Sequence, residues 1–251
     1  MRLIFEGPYI WIDLIGYNFI AILAVVALFT SPRHNDPLAF AFLVCAIASW
    51  TCGSTLSSFG QFFTLPSSAD YLANISYTLF YPFALLAIPR ILSKRKSLSV
   101  TEMLDAAIFS LGLTSIATAL IFSQVISVGS GQSFFELFYP ICDLALLITL
   151  AIASITQIIN RRFLILALGF VIYLLFDYLF LWESFQGSYQ FGTVLDNGWL
   201  LGLIIISQSL WLSPAQSKDF LAIHPAFIAV SIFISPSLLA MMALRPGIFP
   251  S

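Results

Sequence analysis

Apolar runs of about 20 residues, each long enough as a helix to cross the hydrocarbon core of a bilayer, recur along this chain with only short polar gaps between them. A chain built this way has few options. In lipid every backbone polar group must be satisfied internally, so such runs fold as packed helices. Eight runs qualify, at residues 9–30, 38–60, 71–92, 101–126, 134–157, 163–183, 195–213 and 220–242. Only 9% of the 251 residues are charged, against about 25% in a soluble domain. No gap is long enough to hold a soluble domain. The expectation is an all-α integral membrane protein, a single bundle of about eight transmembrane helices formed by residues 1–251 as one domain.

Lysine and arginine give the orientation. The odd-numbered gaps hold Arg33, then Arg90, Lys94, Arg95 and Lys96, then Arg161 and Arg162, then Lys218, whereas the even-numbered gaps hold none. Only Arg2 and Arg245, near the two ends, fall on the other side. The odd gaps are therefore expected in the cytoplasm and the N-terminus outside. Arg2 is followed by Glu6 and Asp13, with no small-x-small cleavage site, so the first run reads as a retained span. A net charge of −2 without a long basic run gives no footprint for nucleic acid. Cys45, Cys52 and Cys142 lie in apolar stretches without metal-ligand spacing and read as packing residues.

Acids within such runs are costly, about 2.5–3.5 kcal/mol at a helix centre on insertion scales. On this topology Asp13, Asp143, Asp177 and Asp196 all fall in the outer half. Asp143 is expected roughly 13 Å below the outer end of the fifth span and Asp177 roughly 9 Å below that of the sixth. Each of three acids shares a helix face with an aromatic ring: Tyr139 with Asp143, Tyr173 with Asp177, and Asp196 with Trp199. No Lys, Arg or His sits at matching depth, which leaves hydroxyls, indoles, Asn18, Asn197, Gln124, Gln190 and water as neighbours. Taken singly, each Asp is equally well read as a hydrogen-bonded strut between helices. Taken together, they favour an outward-facing cavity for a small cationic or polar molecule. The spans on either side of the tight "NRR" turn should bring Asp143 and Asp177 side by side, where two carboxylates in a dry site cannot both stay charged uncompensated.

Other chemistries lack their parts. His34 and His224 lie in or beside cytoplasmic gaps, so no intramembrane histidine pair is present for haem or metal, and no mid-span lysine for a retinal Schiff base. An intramembrane aspartyl protease would need Gly-x-Gly-Asp at its second aspartate, where this chain has "GTVLDNG". No catalytic residue, metal or cofactor is assigned. Glycines such as Gly112, Gly169 and Gly202 are expected to permit close helix packing. A faint internal echo pairs "LFYPFALLAI" at 79–88 with "LFYPICDLAL" at 137–146, with Ala84 near the place of Asp143. It fits an old duplication or a common way to start a helix.

Four stretches in order, "MLDAAIFSLGL" (103–113), "FYPICDLALLITLA" (138–151), "GFVIYLLFDYLFLW" (169–182) and "GSYQFGTVLDNGWLLGLIII" (187–206), carry a resemblance. Together they are similar to the multi-span N-terminal membrane region of bacterial GGDEF and EAL proteins, which make or break cyclic di-GMP. The recurring elements fall on Tyr139, Pro140 and Asp143, on Asp177, and on Gly192, Asp196, Gly198 and Trp199, within about residues 40 to 212. The resemblance implies a sensory domain in the bacterial inner membrane that feeds a cytoplasmic diguanylate cyclase or phosphodiesterase. This chain itself holds no GGDEF, EAL, kinase or PAS sequence, so it is not expected to be an enzyme. It stops on the outside by the count above, and a fragment of a longer protein is the favoured explanation.

The sequence thus supports a ligand-binding sensory domain with Asp143, Asp177, Asp196, Tyr139, Tyr173, Trp199 and Asp13 as candidate ligand-binding residues. Its expected partners are the lipid bilayer, a small molecule and a second copy in a homodimer. A small-molecule transporter or transporter subunit, and a passive membrane anchor, are the alternatives. A dead-end outer pocket, a through-path or a dry core would distinguish the three.

Overall fold

A computed structural model of the chain describes residues 8–32, 37–92, 108, 134–156 and 159–212. Among them are six α-helices. A π-helical turn, Ile10–Gly16, leads into α1, Tyr17–Phe29. Then come α2, Pro37–Phe62, and α3, Ser67–Leu92. Next are α4, Phe134–Thr156, and α5, Arg161–Phe185. The last is α6, Asp196–Gln208, prolonged by a 3₁₀ turn, Ser209–Trp211. The described residues contain no strand.

Among the described residues, four stretches are long and apolar enough to cross a membrane: Ile10–Phe29, Pro37–Phe62, Ser67–Ile91 and Arg161–Ser184. Eight spans are therefore not supported. The expected spans at 101–126 and 220–242 lie outside the described residues. The expected span at 134–157 forms α4, a helix of 23 residues that includes Glu136 and Asp143. The expected span at 195–213 forms α6, whose 13 residues reach roughly 20 Å against a hydrocarbon core of about 30 Å.

Local sequence explains where the helices begin and bend. Asn160 accepts a hydrogen bond from the Phe163 backbone N–H at 2.8 Å and so caps α5. Asp13 Oδ2 accepts the Tyr9 N–H at 2.7 Å at the start of the π-helical turn. Pro82 and Pro89 lie inside α3 and each removes one N–H from its ladder. The outer surface is apolar, with Phe19, Ile75 and Leu175 exposed as lipid-facing residues would be. Trp11, Tyr71 and Trp182, exposed near helix ends, suit the headgroup level.

The described helices pack in cyclic order. Each of α1 to α5 contacts the next, and α6 closes back on α1. The two ends of this ring differ. Toward the end carrying Arg90, Arg161 and Arg162, aliphatic side chains fill the interior, with Leu28, Leu43, Ile88, Leu166 and Ile206 fully buried. Toward the end carrying the 63–66 and 186–195 connections, the interior is polar and aromatic, and there the ring encloses a cavity.

Close backbone approach depends on glycine at two crossings. A Cβ on Gly169 would stand 2.7 Å from the Ile206 backbone N and 3.0 Å from the Gly202 carbonyl oxygen, so Gly169 and Gly202 bring α5 and α6 together as expected. A Cβ on Gly53 would stand 2.9 Å from the Ala73 carbonyl oxygen, which sets the α2–α3 approach. Gly112 lies outside the described residues.

Candidate ligand-binding site

The cavity has a volume of about 390 Å³ and opens beside Gln61, Ser184, Tyr189 and Phe191, at the ends of α2 and α5 and in the loop that follows. Asp143 of α4 and Asp177 of α5 both line it. They lie roughly 13 Å and 12 Å from the helix ends nearest the mouth, the depth match that a short α4–α5 connection allows. Their carboxyl groups are close enough to interact directly. Two unit charges roughly 4 Å apart repel by about 4 kcal/mol at an effective dielectric of about 20, so the pair needs compensation. No Lys, Arg or His is among the described residues lining the cavity.

The two acids are held differently. Asp177 is bonded on both oxygens: Trp199 of α6 donates its indole N–H to Oδ1 at 2.7 Å, and Tyr81 of α3 donates its hydroxyl to Oδ2 at 3.1 Å. Asp143 is only 8% exposed, and its Oδ1 has no hydrogen-bond partner among the described residues. A buried acceptor in that condition forfeits its hydration without replacement, at a cost of about 1–3 kcal/mol or more for a charged group.

Aromatic rings make up much of the wall. Trp50 of α2 meets Tyr77 at 6.0 Å and Tyr173 at 6.3 Å between ring centroids, both edge-on. Tyr173 in turn lies 4.8 Å from Phe80. The Tyr81 and Tyr139 rings stack at 6.0 Å with 22° between their planes. The two Phe-Tyr-Pro stretches of the sequence echo thus meet in space and contribute neighbouring rings to one wall.

The i,i+4 and i,i+3 pairs do share helix faces, but their polar tips point to other partners. Tyr139 donates its hydroxyl to Asn74 Oδ1 at 3.2 Å. Trp199 donates to Asp177. The site also draws on α2 and α3, beyond the fifth, sixth and seventh spans expected to hold it. Tyr81, Trp50, Tyr77 and Asn74 were not singled out in the sequence. For Tyr81 alone a signal existed, in the echo of the Tyr139 stretch.

Asp196 and Asp13 have a different geometry. Asp196 accepts the Tyr189 hydroxyl at 3.0 Å on Oδ1 and the Gly192 N–H at 2.8 Å on Oδ2, and so folds the loop that leads into α6. The Tyr17 hydroxyl donates to its backbone carbonyl at 3.0 Å. Gly192 has φ +88°, where a side chain would be strained, and a Cβ there would stand 3.2 Å from Asp13 Oδ2. Gly198 passes so close to the Phe176 ring that a Cβ would overlap it. Within the Gly-x-x-x-Asp-x-Gly-Trp stretch, Gly192 and Asp196 hold the loop before α6, Gly198 packs on Phe176, Trp199 reaches Asp177, and Asp196 and Trp199 both line the cavity. Asp13 lies against this loop and is not among the described residues lining the cavity. Asn18 accepts from Ser54 and Thr55 at 3.1 and 3.2 Å and joins α1 to α2.

No family model, no curated protein and no solved structure matches this chain.

Proposed function

We propose that this chain is a membrane-embedded sensory domain that binds a small polar molecule in the cavity and biases the arrangement of its helices. The observation that carries this reading is the buried pair Asp143 and Asp177, both lining the cavity, one acid bonded on both oxygens and the other with a buried oxygen that has no partner among the described residues. Intramembrane acids usually face a functional interior. The aliphatic filling of the arginine-bearing half favours a dead-end pocket over a through-path. Arg90, Arg161 and Arg162 at the opposite end support, by the positive-inside rule, a mouth that opens on the outer face of a bacterial inner membrane.

The resemblance to GGDEF- and EAL-linked membrane regions supplies the output: regulation of cyclic di-GMP turnover on the cytoplasmic side. A bound ligand shifts such a two-state bundle only by its differential affinity, typically about 1–3 kcal/mol. The test is Asp143→Asn introduced into the gene that encodes this chain, in its own host. A change of about twofold or more in cellular cyclic di-GMP, with the protein still present in the membrane, is expected. Unchanged cyclic di-GMP, or loss of uptake of a solute, would replace signalling by anchoring or transport.

A further inference from the structure

We infer that the cavity takes a small alkylammonium ion, with Asp143 as its counter-charge. The inference rests on the ligand-binding reading of this cavity and names the chemical class that fits it. Three observations converge. The first is charge: the pair Asp143 and Asp177 lines the cavity together with Asp196, and no Lys, Arg or His is among the described residues lining it. An occupant carrying one positive charge completes the pair.

The second is the open acceptor. Asp177 has both oxygens engaged by Trp199 and Tyr81, whereas Asp143 lines the cavity and its buried Oδ1 has no partner among the described residues. The vacant acceptor thus belongs to Asp143, and a cation that engages it takes no hydrogen bond from that oxygen.

The third is the wall. Trp50, Tyr77, Tyr81, Tyr139, Tyr173 and Trp199 all line the cavity. Ring faces attract alkylated ammonium through the quadrupole and attract it most when water is excluded. A bare metal ion would want several oxygen ligands, and the described residues hold no group of three or more His, Cys, Asp or Glu suited to one. A neutral sugar would want many paired donors and acceptors. An alkylammonium wants one carboxylate and a ring of π faces.

The probes are choline, tetramethylammonium and 3,3-dimethylbutan-1-ol, the uncharged isostere of choline. They are titrated calorimetrically against the protein in phosphatidylglycerol nanodiscs. The expected result is saturable binding of choline at least tenfold tighter than of the isostere, with the preference lost in Asp143→Asn. In phosphatidylcholine nanodiscs, unchanged choline binding marks a free ligand, and loss of it marks a lipid headgroup as the source. Both outcomes support the ammonium class. Equal binding of choline and its isostere overturns the cation assignment and leaves the ligand-binding reading standing. If neither cation binds, the cation assignment is likewise overturned, and the reactivity of Ser57→Cys then decides the broader reading. Ser57 lines the cavity. In a background lacking the native cysteines, modification of that residue by a small thiol reagent keeps an accessible pocket, and inertness removes the pocket altogether.

Discussion

Trp199 on α6 donates its indole N–H to Asp177 Oδ1 on α5 at 2.7 Å, and this bond ties together two neighbouring helices of the cavity wall. Trp199→Phe keeps a ring and deletes the donor. The expected loss is about 1–3 kcal/mol of stability, because a buried acceptor is left without its partner. Unfolding of the detergent-solubilised protein measures it, and an unchanged transition would mean that water replaces the indole.

The stacked rings of Tyr81 and Tyr139 separate two contributions in the same way. Tyr81→Phe removes the donor to Asp177 Oδ2 and retains the stack. Tyr139→Phe removes the donor to Asn74 and retains the stack. With the ring contact intact in both, the two substitutions are expected to add within about 0.5 kcal/mol, whereas Tyr81→Ala with Tyr139→Ala should show coupling of about 0.5–1.5 kcal/mol. A double-mutant cycle on stability reads both.

Gly192 combines a left-handed backbone with close contact to Asp13. Gly192→Ala is expected to cost about 1–2 kcal/mol from the backbone alone and to loosen the loop that Asp196 holds. Faster proteolysis of the 186–195 connection in intact protein is the readout. Gly187→Ala is the control, since its φ of +65° carries the backbone strain but its Cβ would meet nothing within 4 Å.

Replacing Gly169 by Val pushes a branched side chain into the α6 backbone at a point where even a Cβ would be 2.7 Å from Ile206 N. Overpacking of this kind costs about 1–3 kcal/mol. Because α5 and α6 would separate, Asp177 and Trp199 would separate with them, and the substitution should weaken ligand binding from a distance. Binding affinity unchanged alongside lost stability would show that the cavity does not depend on this crossing.

Orientation is checked by labelling. Ser188 is exposed in the loop at the cavity mouth, and Ile159 is 56% exposed at the opposite end. Cysteine at 188 is expected to react with an impermeant thiol reagent applied to intact cells, and cysteine at 159 only after the membrane is opened. The reverse pattern would turn the cavity toward the cytoplasm.

What the sequence determined by itself follows from solvation. Apolar runs long enough to span a bilayer force helices, whatever their neighbours, so α1, α2, α3 and α5 were legible from hydropathy and length. The depth match of Asp143 and Asp177 was legible too, because rise per residue and a short connection fix where two antiparallel helices present their side chains. Hydropathy could not distinguish α6 from a full span. Its ending depends on a 3₁₀ turn after Gln208. Nor could periodicity along one helix say that Trp199 serves Asp177 rather than Asp196, or that Tyr81 reaches the same carboxylate from α3. Those pairings depend on which helices become neighbours and how each is rotated. That is a property of the closed ring of packed helices, decided by small residues at crossings such as Gly169 with Gly202. Tertiary packing alone turned four separated acids into one carboxylate bonded on both oxygens, one whose buried oxygen has no partner among the described residues, and two set against the loop before α6.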